Sequence, residues 1–202
     1  MVQYRRNLVP GATYFFTVTL RDRKADFLVR HIPLLREAFR SVRGQQPFMI
    51  DAIVILPDHL HCIWTLPPGD ANYSNRWRRI KAQYSRELAD TDATIRQNEK
   101  GEYDVWQRRF WEHTVRDERD FQAHVDYIHY NPVKHGLVER VREWPYSSFH
   151  RFVRQGWLGV DWGGDGSSID EGSDPGFRYA ASELRDWRTL RMKIIHRFFS
   201  GQ

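Results

Sequence analysis

The stretch FMIDAIVILPDHLHCIWTL, residues 48–66, decides how this chain is read. FMIDAIVIL (48–56) is an apolar, β-branched run of strand length. Pro57 and Asp58 break it, and HLHCIWTL (59–66) returns as a second strand, which predicts an antiparallel pair with a tight connection. Successive strand side chains point to opposite faces, so His59 and His61 share one face and Leu60 and Cys62 the other. Two imidazoles on one face are either a pair of metal ligands or the incidental histidines of a half-exposed strand.

Working outward, TYFFTVTLR (13–21) is aromatic and β-branched and predicts a strand. HIPLLREAFRSVR (31–43) places Leu34, Leu35, Ala38, Phe39 and Val42 at helical spacing. PPGD makes a loop, and NYSNRWRRIKAQYSRELA (72–89) predicts a helix with Trp77, Ile80, Tyr84 and Leu88 on one stripe. Its polar side carries Arg76, Arg78, Arg79, Lys81 and Arg86. TDATIRQNEKGEYD is a polar loop, and VWQRRFWEHTV (105–115) reads as one or two short strands. A last helix opens with Asp117 as N-cap and is expected to fade near Asn131, because Pro132 disfavours α conformation in its predecessor. The order β-α-β-β-α-β-α gives an α+β fold. Its first six elements form a ferredoxin-like split βαβ sandwich on an antiparallel sheet, with an added helix carrying the catalytic residues.

Residues 1–155 form one domain in this reading. From 156 to 177 the chain has no Lys or Arg and is rich in Gly, Ser and Asp, an acidic linker. Residues 178–202 recover a basic pattern as a tail. Hydrophobic residues make up 41% of the 202, enough for a core, and the net charge of +5 favours a polyanionic partner. Cys62 is the single cysteine, so an intramolecular disulfide and a CxxC zinc site are excluded, which suits a reducing cytoplasm. No run approaches the 18 apolar residues of a membrane span, and no signal peptide is expected.

The last helix changes the weight of the two histidines. Phe121, Val125 and Ile128 form a core-facing stripe, and Asp120, His124, Tyr127 and Asn131 form a polar stripe beside it. Two neutral imidazoles and an amide oxygen can hold a divalent ion and leave positions open for a phosphate. Tyr127 would then attack phosphorus and conserve the bond energy in a phosphotyrosine. A phenol is mostly protonated at neutral pH, and His124, one turn earlier, is a candidate helper in removing its proton. Tyr130 is the rival nucleophile, but the helical wheel turns it away, as a packing residue under the segment that follows.

PDHLHCIW resembles the His-hydrophobic-His motif. YIHYNPVKHGLV (127–138) followed by WPYSSFHRF (144–152) resembles the signature of single-tyrosine transposases of that class, and most of all their REP-associated branch in bacteria. Three separated motifs in the expected order carry the resemblance over residues 4–152. It implies a Mg²⁺ or Mn²⁺ cofactor and single-stranded DNA hairpins, the repetitive extragenic palindromes, as substrate, with a monomeric enzyme. Carried over, His59 and His61 match the metal ligands and Tyr127 the nucleophile. Asn131 falls where insertion-sequence relatives place a glutamine ligand.

Candidates for the phosphate backbone are Arg5, Arg6, Arg76, Arg78, Arg79, Lys81, Arg108, Arg109, Lys134 and Arg151. Unpaired bases need flat partners, and Trp77, Trp106, Trp111 and Tyr4 are the candidates for stacking. Two other readings stand beside strand transfer. One is a non-catalytic ferredoxin-like module that binds single-stranded nucleic acid. The other is a metal-dependent hydrolase that uses water and leaves no covalent adduct.

Overall fold

The run 48–66 forms the two strands its residues predict. In this computed structural model, which describes residues 6–163, they are β2 (Met49–Ile55) and β3 (His59–Thr65), antiparallel with Val54 opposite His61 and Ile55 opposite Leu60. Tyr4, Arg5 and everything from residue 164 onward, including most of the expected linker and all of the basic tail, lie outside the described residues. The chain divides into two units, Met1–Val115 and Arg116–Gln202.

In the first unit, β1 (Thr13–Thr19) pairs antiparallel with β3 on one side and with β4 (Trp111–Thr114) on the other, giving the sheet order β2-β3-β1-β4. β1 and β2 are separated by β3, so the connection between them crosses over. That is the ferredoxin-like split βαβ topology in a four-stranded antiparallel α+β sheet. The crossover contains a short α1 (Phe27–Arg30), which propensity does not reveal, and α2 (Ile32–Gln45). The second crossover contains α3 (Tyr73–Thr91). Of the stretch 105–115, only β4 becomes a strand, with Leu20 and Trp106 forming an isolated bridge before it.

Trp77, Ile80, Tyr84 and Leu88 of α3 are all fully buried, as the stripe requires. The Trp77 and Trp64 rings stack at 4.2 Å, and Phe39 and Phe16 meet Trp77 edge-on. Burying each such ring contributes about 1.5–3 kcal/mol. Trp64, Cys62 and Leu60 alternate with Ile63, His61 and His59, so the helix-facing side of β3 is the side the histidines do not use. β2 gains an extra residue, Asp51, between Ile50 and Ala52. This buried carboxylate accepts a hydrogen bond from Thr65 Oγ1 at 2.7 Å.

In the second unit, α4 (Glu118–Lys134) begins at the Asp117 N-cap, whose carboxylate accepts the Asp120 N–H at 2.9 Å. The expected fading near Asn131 does not occur: α4 continues through Pro132 for a further three residues. Pro132 forfeits the backbone bond to the Ile128 carbonyl, and other bonds close the turn beyond it. The closing turn is held by the His135 N–H to Asn131 O and the Leu137 N–H to Pro132 O, both 3.0 Å. α5 (Phe149–Arg154) follows a 3₁₀ turn at Val141–Glu143. Trp162, in the stretch that composition assigns to a linker, packs its ring against His129 and Phe149. Gly163 has φ +71°, and a β-carbon there would come within 3.0 Å of Val141 and 3.4 Å of Tyr130.

His129 is fully buried in this unit, with Nε2 2.9 Å from Ser148 Oγ and its ring against Phe152. Burial first, then the charges of Arg151 and His150, push its pKa down to about 3. The unfolded chain takes up a proton near pH 6.5 that the folded protein refuses until about pH 3. This contribution is therefore complete above pH 6.5 and is lost as the pH falls toward 3, at up to about 1.4 kcal/mol per pH unit. In urea titrations from pH 7 to 4, His129→Gln is expected to flatten that fall. An unchanged slope would show that His129 is not its source.

Candidate active site

His59 and His61 lie on one face of β3 and are 5% and 3% exposed. Their ring centroids are 4.9 Å apart and the rings are nearly perpendicular. Each ring is tethered through the same atom. His59 Nδ1 donates to Asp58 Oδ1 at 2.7 Å, and His61 Nδ1 lies 2.9 Å from Thr17 Oγ1. Asp58 is itself paired with Arg23 at 2.5 Å. With Nδ1 engaged in both rings, Nε2 is the atom that would ligate a cation, and the outer partner fixes the ring's orientation. Sequence reading treats Asp58 only as a strand breaker and passes over Thr17. Asp58 carried a usable signal, being adjacent to His59. Thr17 did not, since its pairing with His61 follows from the β1–β3 register.

On α4, Asp120, His124, Tyr127 and Asn131 fall on the polar stripe the sequence predicts. His124 Nδ1 donates to the Asp120 carbonyl oxygen at 2.7 Å and lies 3.3 Å from Asp120 Oδ1. That leaves Nε2 as the basic nitrogen of a neutral His124. Tyr127 is half-buried, and Lys134, two turns later, holds its ammonium 5.2 Å from the Tyr127 ring centroid. The continuation of α4 through Pro132 is what carries Lys134 back over that ring, since helical side chains lean toward the N-terminus. Tyr130 is packed beside Gly163 and Val141. Asn131 is fully buried, and neither side-chain amide atom has a hydrogen-bond partner among the described residues. A buried orphan amide costs about 1–3 kcal/mol per group, which an amide oxygen bound to a cation would offset. Within the first unit, the two tethered imidazoles are a donor pair of the kind that suits a divalent ion.

The basic candidates sort by burial. Arg76 is 2% exposed and spends its guanidinium inside the fold, on Asp70 Oδ2 at 2.6 Å and on the Gln46, Pro47 and Asn72 carbonyls. It ties α3 to the loops around it and does not present its charge to solvent. Arg78 is exposed and bonds Asn75, Arg79 bonds Gln45, and Arg6 bonds Ser74 while lying 4.4 Å over the Phe110 ring. Lys81 donates to the Gln107 carbonyl at 2.9 Å, and burial followed by the Arg6 charge lowers its pKa to about 8. It lines an open groove with Arg86, Lys100, Trp106 and Arg108, the last paired with Glu102 at 3.3 Å. Arg109 and Lys134 are exposed, and Arg151 is half-buried over Phe152.

Comparison with known proteins gives these parts a common origin. The family model described as "Transposase IS200 like" matches residues 9–131, which includes both histidines, Tyr127 and Asn131. A REP-associated tyrosine transposase of Escherichia coli K12 is 45% identical over 172 residues, 85% of this chain and 97% of its own length. The chain belongs to the REP-associated tyrosine transposases. A relative in Haemophilus influenzae is 46% identical over 82% of this chain and 95% of its own. The solved structure of a REP-associated tyrosine transposase bound to a REP hairpin superposes with a TM-score of 0.73 at 45% identity, covering 86% of this chain and 98% of that one. The α+β fold and the enzyme class read from sequence are those of this family, and the transposase is an enzyme of DNA. The family and the histidine-rich donor set together suggest a divalent metal. Among the described residues of the transposase, no helix is long and apolar enough to cross a membrane.

Proposed function

We propose that the transposase cleaves and rejoins single-stranded DNA at hairpin-forming repetitive extragenic palindromes, with Tyr127 as nucleophile and a 5′-phosphotyrosine as intermediate. The observation that carries this reading is the pair of buried imidazoles, each tethered at Nδ1, on one face of β3. A module that only binds nucleic acid has no use for two oriented, desolvated ligands. The REP hairpin in the structure of the 45%-identical relative supports the choice of substrate.

His59 and His61 are the residues that would hold the metal through Nε2, with Asn131 supplying its amide oxygen; Mg²⁺ or Mn²⁺ suits this mixed nitrogen and oxygen set. When bound, the ion supplies positive charge against the phosphodiester. The Tyr127 phenol oxygen forms a bond to phosphorus, and the bond from phosphorus to the 3′ oxygen of the preceding nucleotide breaks. That oxygen leaves as a 3′ hydroxyl by taking up a proton. His124, one turn earlier on α4, is assigned to accept the phenol proton and to return it when a 3′ hydroxyl attacks the phosphotyrosine in the joining step. Exposed cations, among them Arg78, Arg109 and Lys134, hold the DNA backbone, whereas Arg76 serves the fold. The enzyme works as a monomer in the cytoplasm, where chromosomal DNA lies.

The test is a labelled single-stranded hairpin oligonucleotide incubated with the protein and Mn²⁺, with and without EDTA, and run on a denaturing gel. A shifted band that appears only with the metal is expected. Tight hairpin binding with no covalent band under any metal would replace this reading with a binding module.

A further inference from the structure

Of the four aromatic residues that sequence offers for base stacking, Trp77 and Trp106 are buried and Tyr4 lies outside the described residues. Trp111 is different: it is 40% exposed, on β4 at the edge of the sheet. An exposed indole at a sheet edge is a liability unless it has a use. The strand register says which use. Thr17 of β1 is opposite His61 on β3 and opposite Trp111 on β4, so His61, Thr17 and Trp111 form one row across three strands and project from the same face. Two strand spacings separate the ends of that row by about 10 Å.

The ring is also held in one orientation. Phe15, itself buried, stacks on His61 at 5.6 Å and meets Trp111 edge-on at 5.6 Å. His113 lies parallel to Trp111 at 6.0 Å. A single buried ring therefore links the ligand histidine to the exposed indole, and a base that stacked on Trp111 would not have to order it first. The exposed Arg109, two residues before it, provides charge for a flanking phosphate.

We propose that Trp111 is the stacking platform for one unpaired nucleobase of the substrate strand, beside the phosphate presented at the histidine pair. This rests on the transposase reading above. A flat apolar surface without base-edge hydrogen bonds makes the site tolerant of base identity, so it positions the strand rather than reading its sequence.

The experiment uses the full chain and stem-loop oligonucleotides with a ten-nucleotide single-stranded flank, in which 2-aminopurine replaces each flank base in turn. One position is expected to show stacking-dependent quenching with the parent protein. Trp111→Ala is expected to lose that quenching and to weaken binding by roughly 5- to 150-fold, the range of one base–aromatic stack. Trp111→Phe should recover most of the affinity. With an abasic nucleotide at the responding position, Trp111→Ala should cost nothing further. Equal quenching and affinity in Trp111→Ala and parent, or a full penalty that persists on the abasic strand, would overturn the proposal while leaving the nucleophile untouched. No binding of any stem-loop by the parent would overturn the transposase reading and this proposal together. Covalent capture by Tyr127 is scored separately on the same oligonucleotides, so its loss alone counts against the nucleophile and not against Trp111.

Discussion

Tyr127→Phe is expected to abolish the covalent protein–DNA adduct, with a loss on the order of 10⁴-fold or more in strand cleavage, while hairpin affinity stays within about twofold. The change removes one oxygen and keeps the ring, its half-buried packing and its contact with the Lys134 ammonium. Binding is therefore preserved while the proposed nucleophile is gone. Losses of that size are the ordinary result of removing an attacking atom that nothing else replaces. Tyr130→Phe is expected to leave the adduct in place, because Tyr130 is committed to packing beside Gly163 and Val141. If cleavage survives in Tyr127→Phe at comparable rate and gives products with no protein attached, water is the nucleophile and the hydrolase reading holds.

The second large effect concerns the histidine pair. His59→Ala is expected to remove metal-dependent cleavage outright, since one of the two imidazoles proposed as ligands is lost. Asp58→Asn should act differently. It keeps His59 but weakens the partner that orients Nδ1, and changes of that kind reduce metal affinity by about 10–100-fold. Mn²⁺ binding followed by electron paramagnetic resonance should therefore show a right-shifted titration in Asp58→Asn and no site in His59→Ala. Cleavage in Asp58→Asn should return as Mn²⁺ is raised. If Asp58→Asn binds Mn²⁺ as the parent does, the carboxylate serves only its pairing with Arg23.

The parts of this protein that were legible in its sequence are those set by local pattern. The alternation around Pro57 and Asp58 gave two strands and one face for His59 and His61, and the stripe at Trp77, Ile80, Tyr84 and Leu88 gave a buried helix face. Asp117 was recognisable as a cap because its side chain acts within its own turn. What stayed hidden depended on distant partners. Thr17 meets His61 only through strand register, 44 residues away in sequence. Arg76 looks like any charge on a polar stripe, and its role requires knowing that the Gln46 and Pro47 carbonyls pass beside it. The expectation that α4 would fade near Asn131 rested on the local preference of the residue before Pro132, which the closing bonds from His135 to Asn131 and from Leu137 to Pro132 override. The exposed Trp111 could not be told from its buried relatives by composition.

The most direct measurement is to locate the protein–DNA bond itself. Adduct formed on a hairpin oligonucleotide with Mn²⁺ would be gel-purified, digested with nuclease and protease, and sequenced by mass spectrometry. A residual 5′-linked nucleotide on the peptide that contains Tyr127, with the fragment ions placing it on that residue, is the expected result. A nucleotide on Tyr130 or on any other side chain, or intact unmodified peptide from a reaction that has cleaved its DNA, would contradict the assignment of Tyr127 as the nucleophile.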